Sequence, residues 1–107
     1  MFYNKNSDNY LNPVDGIQLK TLTFGDKVSM VEFKMEKDNQ LPLHDHPHEQ
    51  IGYLVSGRME LRIGDEVHEV KPGDSWCIPG GVSHGANLLE DSIAIEVFSP
   101  LRDDYLP

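Results

Sequence analysis

The chain is short of cysteine, of basic residues and of long apolar runs. Cys77 is its single cysteine, so no intrachain disulfide can form, and a small domain without disulfides points to the cytoplasm. Lys and Arg number 9 against 18 Asp and Glu, a net charge of −9. Neutralising phosphates needs clustered cations, so this balance argues against nucleic acid and against anionic membranes. It leaves room for an anionic small molecule, because one well-placed Arg outweighs distant charges that salt screens. No run approaches the roughly 20 apolar residues of a membrane span. The polar opening MFYNKNSDNYLNP lacks the apolar stretch of a signal peptide. Low-complexity tracts, linkers and repeats of fixed period are also missing, as is any stretch with sustained 3.6-residue periodicity.

What is present has period two. Val31, Phe33 and Met35 alternate with Glu32, Lys34 and Glu36, and Met59, Leu61 and Ile63 alternate with Arg58, Glu60 and Arg62. Both are half-buried strands by the alternation rule. Turn pairs recur throughout, among them Gly25-Asp26, Ser56-Gly57, Gly64-Asp65 and Pro72-Gly73. Short strands with frequent turns mean an all-β sandwich or barrel. Strands are predicted near 17–24, 28–36, 49–55, 58–63, 66–70, 75–79, 83–89 and 92–98. The 107 residues fit one domain, read as a polar N-terminal arm over 1–14 and a barrel over 15–107. The aromatics of the arm, Phe2, Tyr3 and Tyr10, can pack on the body or on a partner subunit. The tail SPLRDDYLP is unsuited to a central strand.

The stretch PLHDHPHEQ, residues 42–50, carries the chemistry. Residues of one parity share a face of an extended strand, so His44, His46 and Gln50 can aim at one point. His84, in PGGVSHGAN, is a fourth candidate. Imidazoles converging from two strands are what a transition-metal ion needs. His48 has the same parity, but Pro47 stands before it, and it is placed at the rim of the cavity as a ligand contact. His68, in EVHEV, reads as an ordinary surface or core residue. Cys77 reads as a buried, inert thiol, and the acidic pair Asp103-Asp104 as solvated surface. Gly57, Gly73 and Gly81 read as turn residues at positive φ.

These two stretches resemble the two motifs of the cupin family. HDHPHEQIGYLVSG (44–57) is similar to the first motif and GDSWCIPGGVSHGAN (73–87) to the second, with a short spacer between them. The resemblance implies a jelly-roll barrel, the double-stranded β-helix of cupins, with a metal held inside by His44, His46, Gln50 and His84. Three departures stand out. Gln50 occupies the place of the usual Glu, Asp38 that of the usual opening Gly, and Asn87 comes one residue early.

EVFSPLRDDY (96–105) narrows the resemblance to small cupins that act on 4,5-unsaturated uronates from pectin and alginate, converting them to linear keto sugars. That resemblance implies Glu96 as the catalytic acid/base, where an Asp is usual, Phe98 as the aromatic of the substrate pocket, and Arg102 as its arginine. Arg102 suits a uronate carboxylate because its planar fork makes two parallel charge-assisted bonds. Its alternative is an ordinary pair with Asp103 or Asp104. Three imidazoles and an amide leave the charge of a divalent ion uncompensated, which favours Lewis-acid chemistry. Zinc, nickel, cobalt, manganese and iron all suit such donors. The expected partners are a small carboxylated sugar and a second copy of the chain. Two rival functions remain: another metal-dependent cupin enzyme, such as a dioxygenase or sugar isomerase, and a non-catalytic module that binds a small carboxylate or sugar.

Overall fold

The computed structural model describes residues 1–107. Ten strands run in order: β1 (Leu11–Val14), β2 (Ile17–Phe24), β3 (Ser29–Met35), β4 (Gln40–His44), β5 (Glu49–Ser56), β6 (Met59–Ile63), β7 (Glu66–Val70), β8 (Ser75–Ile78), β9 (His84–Leu88) and β10 (Ser92–Ser99). A short 3₁₀ turn at Asp103–Tyr105 is the only helical element, and no helix is long and apolar enough to cross a membrane. The strands make two antiparallel sheets, β1-β2-β3-β10-β5-β8 and β4-β9-β6-β7. The architecture is all-β, as the alternating pattern implies, in the jelly-roll form that the cupin resemblance implies.

Period-two patterning builds the interior directly. In β3, Ser29, Val31, Phe33 and Met35 point inward, and in β10 Ser92, Ala94, Glu96 and Phe98 do so. Thirteen buried apolar residues from both sheets form one cluster, with Ile17, Leu19, Val31 and Leu54 fully enclosed. Burying each such side chain contributes about 1.5–3 kcal/mol. The β6–β7 hairpin turns at Gly64, whose φ of 58° suits a residue without a side chain. Asp38 takes the left-handed conformation itself, with φ of 67°, at the place where the first motif usually opens with Gly.

Two strands depart from the sequence reading. β1 lies inside the expected arm, and β4 ends on the first of the histidines. Both contain a proline, Pro13 and Pro42, and both are sheet edges, where a missing N–H is tolerated. Neither strand alternates clearly in apolarity, so periodicity could not mark them. Residues 42–50 are also not one extended strand. β4 ends at His44 in the four-stranded sheet, and β5 begins at Glu49 in the six-stranded sheet. Asp45–His48 carry the chain across the gap between them.

Both ends of the chain lie on the body. Tyr10 sits between the ammonium groups of Lys20 and Lys34, 5.5 and 4.7 Å from its centroid, and its hydroxyl donates to Glu32. Phe2 and Tyr3 remain exposed. At the other end, the backbone N–H of Arg102 donates to Ser29 Oγ at 3.2 Å, and Thr21 Oγ1 donates to the Tyr105 carbonyl at 3.0 Å. The Tyr105 ring meets Phe33 and Phe98 edge-on, with centroids 6.3 and 5.9 Å apart. The tail therefore closes the end of the barrel where the histidines gather.

Candidate metal centre

The four-stranded sheet delivers two of the imidazoles, and the crossover to the other sheet delivers the third. His44, last in β4, is the register partner of His84, first in β9. His46 lies in the crossover, and its ring stands 4.9 Å from that of His84; the His44 and His84 rings are 4.3 Å apart. One ring nitrogen from each of the three lies within 4.8 Å of the others. That is the spacing of donors around a single ion.

The backbone sets which nitrogen faces inward. His44 Nδ1 is 2.8 Å from the Pro42 carbonyl, His46 Nδ1 is 3.0 Å from the His48 carbonyl, and His84 Nδ1 is 2.9 Å from the Val82 carbonyl. A carbonyl only accepts, so each Nδ1 carries the proton and each Nε2 presents a lone pair. Metal-binding imidazoles are oriented in this way by the partner of their other nitrogen. Burial, with smaller contributions from the neighbouring imidazoles, drives His84 down to about 4. Burial and then the charge of Arg102 lower His46. Both rings are held in the neutral form that ligates metal.

Gln50 completes the set. Its Oε1 lies 2.7 Å from His46 Nε2. With His46 neutral and protonated at Nδ1, both atoms are lone-pair donors, and the contact repels unless a cation lies against both. A divalent metal resolves that conflict, so these residues fit one. The amide is oriented from behind: Gln50 Nε2 donates to Glu96 Oε2 at 2.7 Å, and Trp76 Nε1 donates to Glu96 Oε1 at 2.7 Å. Burial pushes Glu96 up to about 7, although both hydrogen bonds favour its charged form. A small cavity of about 20 Å³ touches Glu96, Gln50, Trp76 and His84, enough for one water with polar partners.

Phe98, Arg102 and His48 surround the imidazoles. Phe98 points inward and is 1% exposed, with its ring 5.9 Å from that of His46. The Arg102 guanidinium lies 4.1 Å over Tyr105 and 5.1 Å from Phe98. Its Nε and Nη2 grip Asp104 at 3.0 and 2.7 Å. Arg102 is thus both buried beside the site and paired with Asp104, and Nη1 is outside that fork. His48 is half-buried, with its ring 5.4 Å from His46 and its Nδ1 enclosed without a hydrogen-bond partner.

Several sequence expectations need correction here. Cys77 is exposed, because its parity in β8 is opposite to that of Trp76 and Ile78. Asp104 is no free surface acid: the Arg102 fork holds its carboxyl below the usual range. His68 is exposed beside Glu66, as expected of a bystander. The sequence reading missed Trp76, Asp104 and Tyr105 as neighbours of the site. For Trp76 the available signal was its shared parity with Ile78.

A two-sheet β-barrel with three converging imidazoles at one end defines a cupin. The cupin domain model matches residues 31–99, and the chain belongs to the cupin family. Within it, the chain is similar to the pectin degradation protein KdgF of Dickeya dadantii, 36% identical over 94 residues that cover 86% of each chain. The solved structure of KdgF from a Halomonas species superimposes with a TM-score of 0.92 at 34% identity, covering 99% of this chain and 100% of that one. An RmlC-like cupin from Shewanella frigidimarina matches with a TM-score of 0.86 at 28% identity, over 91% of this chain and 87% of that one.

Proposed function

We propose that this cupin takes a 4,5-unsaturated uronate and opens it to the linear keto sugar. The observation that carries the reading is the Arg102 guanidinium, stacked on Phe98 and Tyr105 beside the imidazole cluster, in a chain similar over most of its length to KdgF proteins. His44, His46, His84 and Gln50 Oε1 would hold one divalent transition metal. When bound, that ion supplies Lewis acidity toward sugar oxygens.

The chain's own residues do the rest. The free edge of the Arg102 guanidinium receives the substrate carboxylate through charge-assisted hydrogen bonds. Phe98 walls the apolar face of the ring, and His48 contacts it at the rim. Glu96 lies deeper and serves as the acid/base, its enclosed position holding a carboxyl poised near neutrality. In the reaction the C1 hydroxyl loses its proton, the bond from C1 to the ring oxygen breaks, and that oxygen gains a proton. An aldehyde and an enol result. The enol then moves its proton to C4 and becomes a ketone. Nothing is added or lost, so the net reaction is an isomerisation.

The test follows the ultraviolet absorbance of the conjugated substrate with metal-loaded protein. Decay faster than in buffer, lost in Gln50→Ala and His84→Ala, is the expected outcome. Decay equal to buffer would overturn the activity. The same reading takes the chain as cytoplasmic and dimeric, and sedimentation tests the latter.

A further inference from the structure

Gly52, Trp76 and Glu96 lie on one line across three strands. Gly52 in β5 is the register partner of Trp76 in β8 on one side and of Glu96 in β10 on the other. All three face inward. The indole of Trp76 crosses β5 at Gly52 and donates from Nε1 to Glu96 Oε1 at 2.7 Å. A Cβ on residue 52 would fall inside the contact radii of Trp76 Cε2 and Nε1 and of Glu96 Oε1. Gly52 lies within a strand, outside the left-handed region. Glycine weakens a strand interior, and it marks places where other atoms approach closely. Here those atoms belong to one hydrogen bond.

That bond continues. The other oxygen of Glu96 accepts from Gln50 Nε2, and Gln50 Oε1 then faces His46. An amide has two orientations of similar shape and opposite polarity. Only one presents oxygen to a metal; the other presents N–H groups, which cannot ligate. Glu96 accepts from the amide N–H, and that bond leaves the amide oxygen facing the imidazoles. Trp76 keeps the Glu96 carboxyl turned toward Gln50.

We propose that Trp76 is a positioning residue for the amide ligand, acting through Glu96, and that residue 52 is glycine to let the indole pass. The inference rests on the metal reading of His44, His46, His84 and Gln50. Outer groups that orient ligands typically change metal affinity by 10–100-fold.

The test uses cobalt(II) binding and the single tryptophan of the chain as a built-in reporter. In the ¹⁵N-labelled wild type, the one indole N–H resonance should shift when zinc(II) is added, although the indole is no ligand. Trp76→Phe and Gly52→Ala should each weaken cobalt affinity by about tenfold and alter the visible cobalt spectrum. Cys77→Ala, on the outer face of the same strand, should leave both as in wild type. Far-ultraviolet circular dichroism shows whether the variants fold. If either variant does not, the wild-type resonance decides. A stationary indole resonance with zinc bound, or unchanged cobalt affinity in folded Trp76→Phe, overturns the positioning role and leaves the metal site standing. A wild type that takes up neither ion overturns the metal reading and this inference with it.

Discussion

Gln50 donates from Nε2 to Glu96 Oε2 at 2.7 Å, so the buried Glu96 carboxyl stands behind the amide of the candidate ligand Gln50. The usual cupin arrangement, as the motif implies, puts a carboxylate in the ligand position itself. Here position 50 holds a neutral amide, which meets His46 on one side and the Glu96 carboxyl on the other. A glutamate at position 50 would bring two carboxylates face to face.

Gln50→Glu should therefore behave oppositely in the two states of the protein. Without metal, two carboxylates at hydrogen-bond distance cannot both ionise. The variant should lose about 2–3 kcal/mol at pH 8 relative to wild type, and much less at pH 5. With metal, the added charge should tighten binding. Urea midpoints at both pH values, with and without zinc, check this. Equal midpoints at pH 8 without metal would contradict it.

The raised Glu96 gives a pH dependence whose sign can be worked out. In the metal-stripped protein, burial moves this carboxyl from 4.5 to about 7. Between those values the folded chain holds a proton that the unfolded chain has released. Stability from this group is thus greatest below 4.5, declines as pH rises, and levels off above about 7. The slope approaches 1.4 kcal/mol per pH unit for one fully linked proton. Glu96→Gln should remove that component, so the wild-type-minus-variant difference in unfolding free energy should trend with pH only across this window. A flat difference would contradict the assignment.

Asp104 aligns Arg102 without touching the imidazoles. Its removal frees the guanidinium, although the stack on Tyr105 remains. Asp104→Ala should raise KM for an unsaturated uronate by about tenfold with little change in kcat, the pattern of lost ground-state binding. Arg102→Lys loses both fork and stack and should lower kcat/KM by about 100-fold or more. Steady-state kinetics on both variants separate these outcomes.

Tyr105 ties the tail to the barrel through Phe33 and Phe98. Tyr105→Ala should cost about 2–3 kcal/mol of stability, less than a fully buried aromatic truncation because Tyr105 is only half-buried. Tyr105→Phe, which keeps both edge contacts, should stay within about 1 kcal/mol of wild type. Thermal or denaturant unfolding measures both.

Strand periodicity made the barrel legible. Val31, Phe33 and Met35 face inward together, as do Met59 and Leu61. Pro13 and Pro42 hid two strands, because edge strands need neither alternation nor every N–H. The convergence of the four ligand candidates was legible for a different reason than the structure provides. Strand parity suggested it, but His44 and Gln50 belong to different sheets, and a crossover at Pro47 brings them together. The Trp76–Glu96 bond was not legible, since nothing local to SWCI or IEVF says that residue 52 leaves space between them. Such contacts depend on the register of three strands that are distant in sequence.

The most direct test is the location of bound cobalt. A crystal loaded with cobalt(II), measured at its absorption edge, should show one anomalous peak in the barrel. That peak should lie about 2.1 Å from Nε2 of His44, His46 and His84 and from Gln50 Oε1. A peak elsewhere, or one at the imidazoles with the Gln50 amide turned away, would contradict the account.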